Sequence, residues 1–549
     1  MPASGTKKHF AGCRGRGLAS AIIRGLLNVS GPVYKRVFSG GGLLSKVLSG
    51  AVVGIDGYLM EVEVDISRGL PTFTTVGLPE VTVRESRERV KSAINNCGYR
   101  FPDDRITVNL APAHIRKAGT GFDLPIAVGI LTAAGIIQAN GLKYPVIGEL
   151  ALDGRVRPVN GCLPMASAAS DAGYPGIIVP YENRREASVV KDIPVYPVKH
   201  LSEAVGFFAG QCELAPETFD AGEFFEDEGE TDQDFSEVAG QTQVKRAMEI
   251  AAAGSHNILM IGPPGSGKTM LAKRFAGIMP AITFEEAIET SKILSVAGLM
   301  ANHRGLVSKR PFRAPHHTIS DAGMIGGGAN PRPGEVSLSH NGVLFLDELP
   351  EFKRQVLEVL RQPLEGGEVT ISRAAHAVTY PSRFILVAAM NPCPCGYYTD
   401  PQHQCHCSVS QIRKYRQKIS GPLLDRMDIH IEVPRVSYPE LINARSEEGS
   451  LDIRSRVAEA RQRQMKRFKP YGIHVNSQMQ NRHIKIFCSP DRDSGRLLES
   501  AVERLGLSAR AYNRVLKISR TIADLAGTEE IKAEHIAEAI QYRSLDRGL

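Results

Sequence analysis

Hydrophobic and polar positions change their spacing along the chain, and three textures follow one another. In the first, 52–55 and 59–64 read as strands, the latter by the alternation Met60-Glu61-Val62-Glu63-Val64. Positions 84–96 have helical spacing, with Val90 and Ala93 on one side, 106–110 is a strand, 124–137 a buried helix and Ile177–Pro180 a late strand. This predicts an α+β domain over 44–212. Ten acidic residues then fall within 213–234, including Glu226-Asp227-Glu228, which predicts a solvated linker over 213–233. In the second texture, from 234 to 433, helix 244–253 and the short apolar strands Ile258–Ile261, Val343–Leu346 and 384–390 alternate, as expected of a parallel sheet between helices. From 434 to 549 the pattern is mainly helical. Ala511, Val515, Ile518, Ile522 and Leu525 share one helix face there, and Arg514, Lys517 and Arg520 on another read as a solvated basic face.

Composition narrows the class. The 549 residues are 42% hydrophobic and 23% charged, which excludes a disordered, collagenous or disulfide-scaffold chain and suggests about three domains. The apolar stretch 124–137 is too short for a bilayer, which needs about 20 residues, so no membrane partner is expected. The formal charge is +7, but 1–43 holds seven Lys and Arg and no acid, so the remainder is neutral. Residues 1–43 therefore read as a basic extension; an organellar transit peptide and an upstream reading-frame extension, with the start at Leu43 or Leu44, are both open. The expected location is the cytoplasm.

Gly262-Pro263-Pro264-Gly265-Ser266-Gly267-Lys268-Thr269 sits between a strand and a helix, the context a phosphate-binding loop requires. Glycines turn backbone N–H groups onto phosphates, and the helix N-terminus adds its partial positive charge. Lys268 is expected to reach the outer phosphates of ATP and Thr269 to ligate Mg²⁺. Asp347 and Glu348 end the apolar strand Val343–Leu346. Asp347 is expected to hold Mg²⁺ through water and Glu348 to act as general base. Asn391, after strand 384–390, is expected to orient the lytic water; a plain turn residue is the alternative. Cys393, Cys395, Cys405 and Cys407 form two C-x-C pairs that suit Zn²⁺, with free or redox-labile thiols as the alternative.

These motifs resemble those of AAA+ ATPases. Asp234-Phe235-x-x-Val238-x-Gly240-Gln241 is similar to the family's adenine-packing segment, 421–428 to its arginine-finger stretch with Arg426, and 508–514 to its second sensor with Arg510. The resemblance implies that Arg426 reaches a neighbouring subunit's γ-phosphate and Arg510 touches bound nucleotide, hence a homo-oligomer, a hexamer. The Gly/Pro-rich blocks 309–320 and 326–334 make the chain resemble the magnesium-chelatase-like branch, specifically the ComM/YifB family, over 44–549. That resemblance implies an AAA+ P-loop core with a C-terminal helical lid, behind an α+β Lon-protease-like domain. It also implies a motor on branched or single-stranded DNA, active in branch migration during recombination and natural transformation. Arg310, Arg313, His316 and His317 are then candidates to meet a DNA backbone, with plain loop polarity the alternative for the histidines. A motor for metal insertion or for remodelling a protein partner, and a nucleotide-gated scaffold, are the competing readings. In the Lon-like domain Asp123 stands near the nucleophile position and Leu163 and Met165 replace the lysine, leaving Thr120 and Cys162 without an evident base; no peptidase activity is expected.

Overall fold

The computed structural model describes residues 43–219, 233–436 and 448–543, except positions 79, 81–82, 84, 114–116, 118, 139–141, 301–304, 329–330, 373–376, 399 and 506. The basic extension up to residue 42 and most of the acidic linker fall outside the described residues.

The first strands are longer than their apolar cores. β1 (Leu43–Val53) and β2 (Asp56–Ser67) pair antiparallel along their whole length, and Gly54 and Ile55 form the turn between them. They form a four-stranded sheet with β3 (Thr72–Val76) and β4 (Arg105–Ala111), in the order β1-β2-β4-β3. The inward residues Val62, Val64, Ile106, Val108 and Leu110 are buried against α1 (Ser86–Asn96) and α2 (Asp123–Ala133). All of α2 is buried, and the helix ends short of 137 where Gly135 takes φ +78°. α3 (Cys162–Asp171) packs on β2, followed by the parallel pair β5 (Ile177–Pro180) and β6 (Val195–Val198) and by α4 (Leu201–Phe208).

The second unit begins with α5 (Thr242–Gly254), β7 (Ile258–Ile261), α6 (Lys268–Ile278) and α7 (Phe284–Ala297). β8 (Phe312–Arg313), the small hairpin β9 (Gly326–Gly327)/β10 (Arg332–Pro333) and β11 (Val343–Leu346) follow. A second hairpin, β12 (Glu368–Ser372)/β13 (Ala377–Pro381), precedes β14 (Ile385–Met390), α8 (Val409–Arg416) and β15 (Ile429–Glu432). The main sheet has five parallel strands in the order β8-β11-β14-β7-β15. The side chains of β7, β11 and β14 are wholly buried, because helices cover both faces.

Helices α9 (Ser450–Phe468), α10 (Arg492–Leu505), α11 (Ala509–Leu525) and α12 (Ala533–Gln541), with the short helix Asn481–Phe487 between α9 and α10, complete the described residues. The apolar side of α11 is buried as its spacing predicts. Its basic side is not the solvated face expected. Arg514 pairs with Asp428 at 3.1 Å, Lys517 donates to the Ser477 carbonyl, and buried Arg520 donates to Asp524 and to the Thr528 and Glu529 carbonyls. Asp524 also pairs with Arg467 and accepts from Asn476, so buried cations are matched by a buried acid. Periodicity assigns residues to a face but does not say whether that face is also packed. No helix among the described residues is long and apolar enough to cross a membrane.

The two units meet through α7 and α3. Gly161 N–H donates to the Ser295 carbonyl at 3.0 Å, and the buried Glu186 carboxylate accepts from Ser295, Asn183 and the Leu163 N–H.

Candidate active site

Three parallel strands end beside one another, and their next residues form the site. After β7 the chain turns through Gly262–Gly267. Gly265 and Gly267 take φ +75° and +88°, and open space lies where a Gly265 Cβ would stand. Buried Lys268 opens α6, and its Nζ donates to the carbonyls of Gly262 (2.8 Å) and Pro263 (2.9 Å) and to Asn391 Oδ1 (3.2 Å) beyond β14. Burial pulls the Lys268 pKa down to about 8, against Asp347 and Glu348, which favour its charge. Thr269 Oγ1 donates to Asp347 Oδ2 at 2.6 Å, and Asp347 Oδ1 accepts from the Glu348 N–H at 2.9 Å. The loop is braced by Gln241, whose Nε2 donates to the carbonyls of Ser266 (2.8 Å) and Pro434 (3.0 Å), and by Arg435, which reaches the Pro264 carbonyl. Phe235, from the expected adenine-packing segment, is buried in the core beside α5.

Glu348 sits at φ +51°, a left-handed conformation costly for a non-glycine residue, and its carboxylate is exposed at the strand tip. His317 Nδ1 lies 3.7 Å from Glu348 Oε2, and the His316 and His317 ring centroids lie 4.1 Å apart with the rings tilted by 34°. No sequence signal linked a loop histidine to a carboxylate so far along the chain. A hydroxyl and a carboxylate are the hard oxygen donors that Mg²⁺ takes, and a glycine turn at a helix N-terminus with a buried lysine suits a polyphosphate. The residues present therefore fit ATP and Mg²⁺.

Arg426 and Arg510 lie elsewhere. Both line a cleft of about 1070 Å³ whose wall includes Asn257, Gly342, Ile385 and Asp428, at the amino ends of β7, β11, β14 and β15. Arg426 donates to the Pro422 carbonyl and pairs with Glu365, and Arg510 Nη1 lies 3.5 Å from Asp425 Oδ2. None of residues 262–269 lines that cleft. The structure groups the two arginines with each other, at the end of the sheet opposite Lys268.

Two of the four candidate DNA contacts are committed within the chain. Arg310 donates to the carbonyls of Pro280 (2.6 Å) and Asn341 (2.7 Å) and pairs with Glu286, while Arg313 grips Glu335 through two bonds of 2.6 and 2.7 Å. Both hold the loop before β11 onto its neighbours. His316 is exposed, with Nδ1 at 2.9 Å from Thr318 Oγ1. Beside this loop the β12/β13 hairpin, not among the strands expected from the sequence, packs on β9/β10: Tyr380 Oη donates to the Pro331 carbonyl at 2.8 Å. Its alternating buried residues Val369, Ile371, Val378 and Tyr380 are the signal that could have found it.

The thiols of Cys393, Cys395, Cys405 and Cys407 converge, all within 4.8 Å of one another and none in a disulfide. In the first unit, Asp123 is almost fully buried. It accepts from Arg89 at 2.7 and 3.1 Å and from the Leu150 N–H at 3.3 Å. Thr120 Oγ1 donates to Glu149, Leu163 and Met165 are buried, and burial drives the Cys162 thiol well above its ordinary pKa.

Family models match three consecutive stretches: "Subunit ChlI of Mg-chelatase" at residues 62–183, "Magnesium chelatase, subunit ChlI" at 234–441 and "Magnesium chelatase, subunit ChlI C-terminal" at 447–543. The competence protein ComM of Haemophilus influenzae is 46% identical over 92% of this chain and 98% of its own length. The Escherichia coli protein YifB is 44% identical over the same shares. The magnesium-chelatase 38 kDa subunit of Rhodobacter capsulatus is 23% identical over 42% of this chain and 69% of its own.

Proposed function

The chain belongs to the ComM/YifB family of magnesium-chelatase-like AAA+ ATPases, and from that premise we propose that it works as a homo-oligomeric ring, a hexamer, that couples ATP hydrolysis to movement on branched or single-stranded DNA. One observation carries the ring: Arg426 and Arg510 line the amino end of the sheet, whereas Lys268, Thr269 and Asp347 stand at its carboxyl end. An arginine that stabilises transferring phosphate must touch it, so these two serve a nucleotide on another subunit.

Bound ATP–Mg²⁺ supplies the phosphoryl group and the cation that spreads its charge. Lys268 neutralises the outer phosphates, and Thr269 and Asp347 offer the metal oxygens. The Glu348 carboxylate takes the proton of the attacking water, the Asn391 amide orients that water, and His317 positions Glu348. Arg426 and Arg510 leave Glu365 and Asp425 for the neighbour's phosphates.

The DNA component draws support from the competence name of the Haemophilus relative and from the two packed hairpins outside the main sheet, where Arg332 is exposed. The helices after β15 serve as the lid. The first unit is a Lon-protease-like domain without peptidase activity, because the buried Arg89–Asp123 pair occupies the nucleophile region and Leu163 and Met165 supply no base. It serves as a collar that holds DNA or a partner.

The test is ATP hydrolysis with and without branched DNA, paired with a strand-exchange readout. DNA-stimulated hydrolysis with strand exchange is expected. A rate indifferent to every DNA would shift the reading to a motor that remodels a protein partner or drives metal insertion.

A further inference from the structure

Between β14 and α8 lie 18 residues, and among the described ones none is in a helix or strand, a length that in compact domains usually marks a functional loop. Four sulfurs gather inside it. Cys393 Sγ lies 3.3 Å from Cys395 Sγ and 3.8 Å from Cys405 Sγ, and Cys395 Sγ lies 3.6 Å from Cys405 Sγ. A tetrahedral ion with Zn–S bonds of about 2.3 Å has sulfurs about 3.8 Å apart. Neutral thiols are weak hydrogen-bond partners and give little reason for such convergence. His403 is occupied otherwise: its ring stacks on Tyr397 at 4.9 Å and its Nδ1 faces Asp400 at 3.4 Å.

The same loop touches the phosphate loop. Gly396, at φ +86°, lies so close to Pro264 that a Cβ there would stand 2.5 Å from Pro264 Cδ. The Gly396 N–H closes a turn on the Cys393 carbonyl at 3.0 Å, so two sulfurs flank the contact. Arg435 makes a second link: its guanidinium pairs with Asp400 at 3.0 Å, lies 5.7 Å from the Tyr397 ring and donates to the Pro264 carbonyl at 3.4 Å. Asn391, which accepts from Lys268, begins the loop.

We propose that Cys393, Cys395, Cys405 and Cys407 hold one Zn²⁺ as thiolates, and that this ion clamps the loop onto Pro264 so that zinc loading sets the affinity of the phosphate loop for nucleotide. Binding the ion releases the thiol protons to solvent; no sulfur changes oxidation state. Without the ion, the turn bearing Gly396 loses its cross-link to 405–407 and the wall it gives Pro264. The coupling rests on the phosphate-loop reading, whereas the metal content does not.

Full-length protein purified without chelator should carry one zinc per chain by elemental analysis, and Cys405→Ser should carry none. Binding of a fluorescent ATP analogue should weaken about tenfold when a chelator strips the zinc, and recover when zinc alone is returned. Gly396→Ala should keep its zinc and still bind the analogue more weakly, which separates the contact from the ion. Freshly purified protein without zinc would overturn the proposal, and so would equal affinities of loaded and stripped protein. Should Cys405→Ser fail to fold, the stripped and reloaded wild-type protein gives the same comparison. Analogue binding absent from both forms would overturn the phosphate-loop reading and the coupling with it, while the zinc count stands as a separate result.

Discussion

The two ends of the five-stranded sheet are built differently. At the carboxyl end, Lys268, Thr269, Asp347 and Asn391 are joined by hydrogen bonds of 2.6 to 3.2 Å, all within one chain. At the amino end, Arg426 and Arg510 rest on Glu365 and Asp425 of the same chain, in a wide cleft. One end is a finished half-site, with oxygen donors for a metal and a cation for phosphate. The other holds two cations on nearby carboxylates. Under the proposed ring, hydrolysis would depend on assembly, whereas nucleotide binding would belong to the single chain.

The strongest way to break this contrast is Arg426→Ala. Hydrolysis by the assembled protein should fall about 10³-fold, the scale of a lost arginine finger. Nucleotide binding by dilute, separated subunits should not change. Mixing Arg426→Ala subunits with Lys268→Ala subunits should restore part of the rate, because one kind supplies the intact phosphate loop and the other the intact arginine. Weaker nucleotide binding by isolated Arg426→Ala subunits would mean that the arginine serves its own chain, and the contrast would collapse. Next comes Glu348→Gln, on the other side of the comparison. Loss of the base should cost about 10²-fold or more in rate, with ATP still bound. A single-turnover assay checks it, and a rate within a few-fold of wild type would remove Glu348 from the chemistry.

The carboxyl end was legible in the sequence because each part travels with its own local context. The phosphate loop lies between an apolar strand and a helix, and Asp347 and Glu348 close a four-residue apolar run. A strand's end fixes the position of the next few residues, so three short motifs sufficed to assemble Lys268, Asp347 and Asn391. The arginines' partners were not legible where they are distant or lie on a face read as wet. Arg313 pairs with Glu335, 22 residues on. Arg520 looked solvated, yet Asp524 one turn later matches its charge in the core. The cysteine spacing announced a cluster, but nothing local revealed that Gly396 would press on Pro264 across the site.

Arg510 offers a finer test of the amino end. It is more exposed than Arg426, and its contact with Asp425 is longer. A solvated charge forms a weaker bond than a sheltered one, so Arg510→Ala should reduce hydrolysis only about tenfold, some 1.4 kcal/mol of barrier. Steady-state hydrolysis at saturating ATP measures it. A loss as large as that of Arg426→Ala would make the two arginines equal members of the trans half-site.

The smallest expected effect separates the two ends by pH. Burial holds the Lys268 pKa to about 8, although Asp347 and Glu348 favour its charge. Below about pH 8 the free protein therefore presents an ammonium to the phosphates. As the pH rises through that value the amine loses its proton, and nucleotide binding must take one up. Affinity for an ATP analogue should accordingly be flat between about pH 6.5 and 7.5 and weaken by less than about tenfold per unit above pH 8. Calorimetry in two buffers of different ionisation enthalpy, at about pH 8.5, should reveal proton uptake on binding. Lys268→Arg, charged at every pH, should abolish that uptake. Equal heats in the two buffers for the wild-type protein would show that Lys268 is already protonated in the empty site, and the titration would then belong to neither end of the sheet.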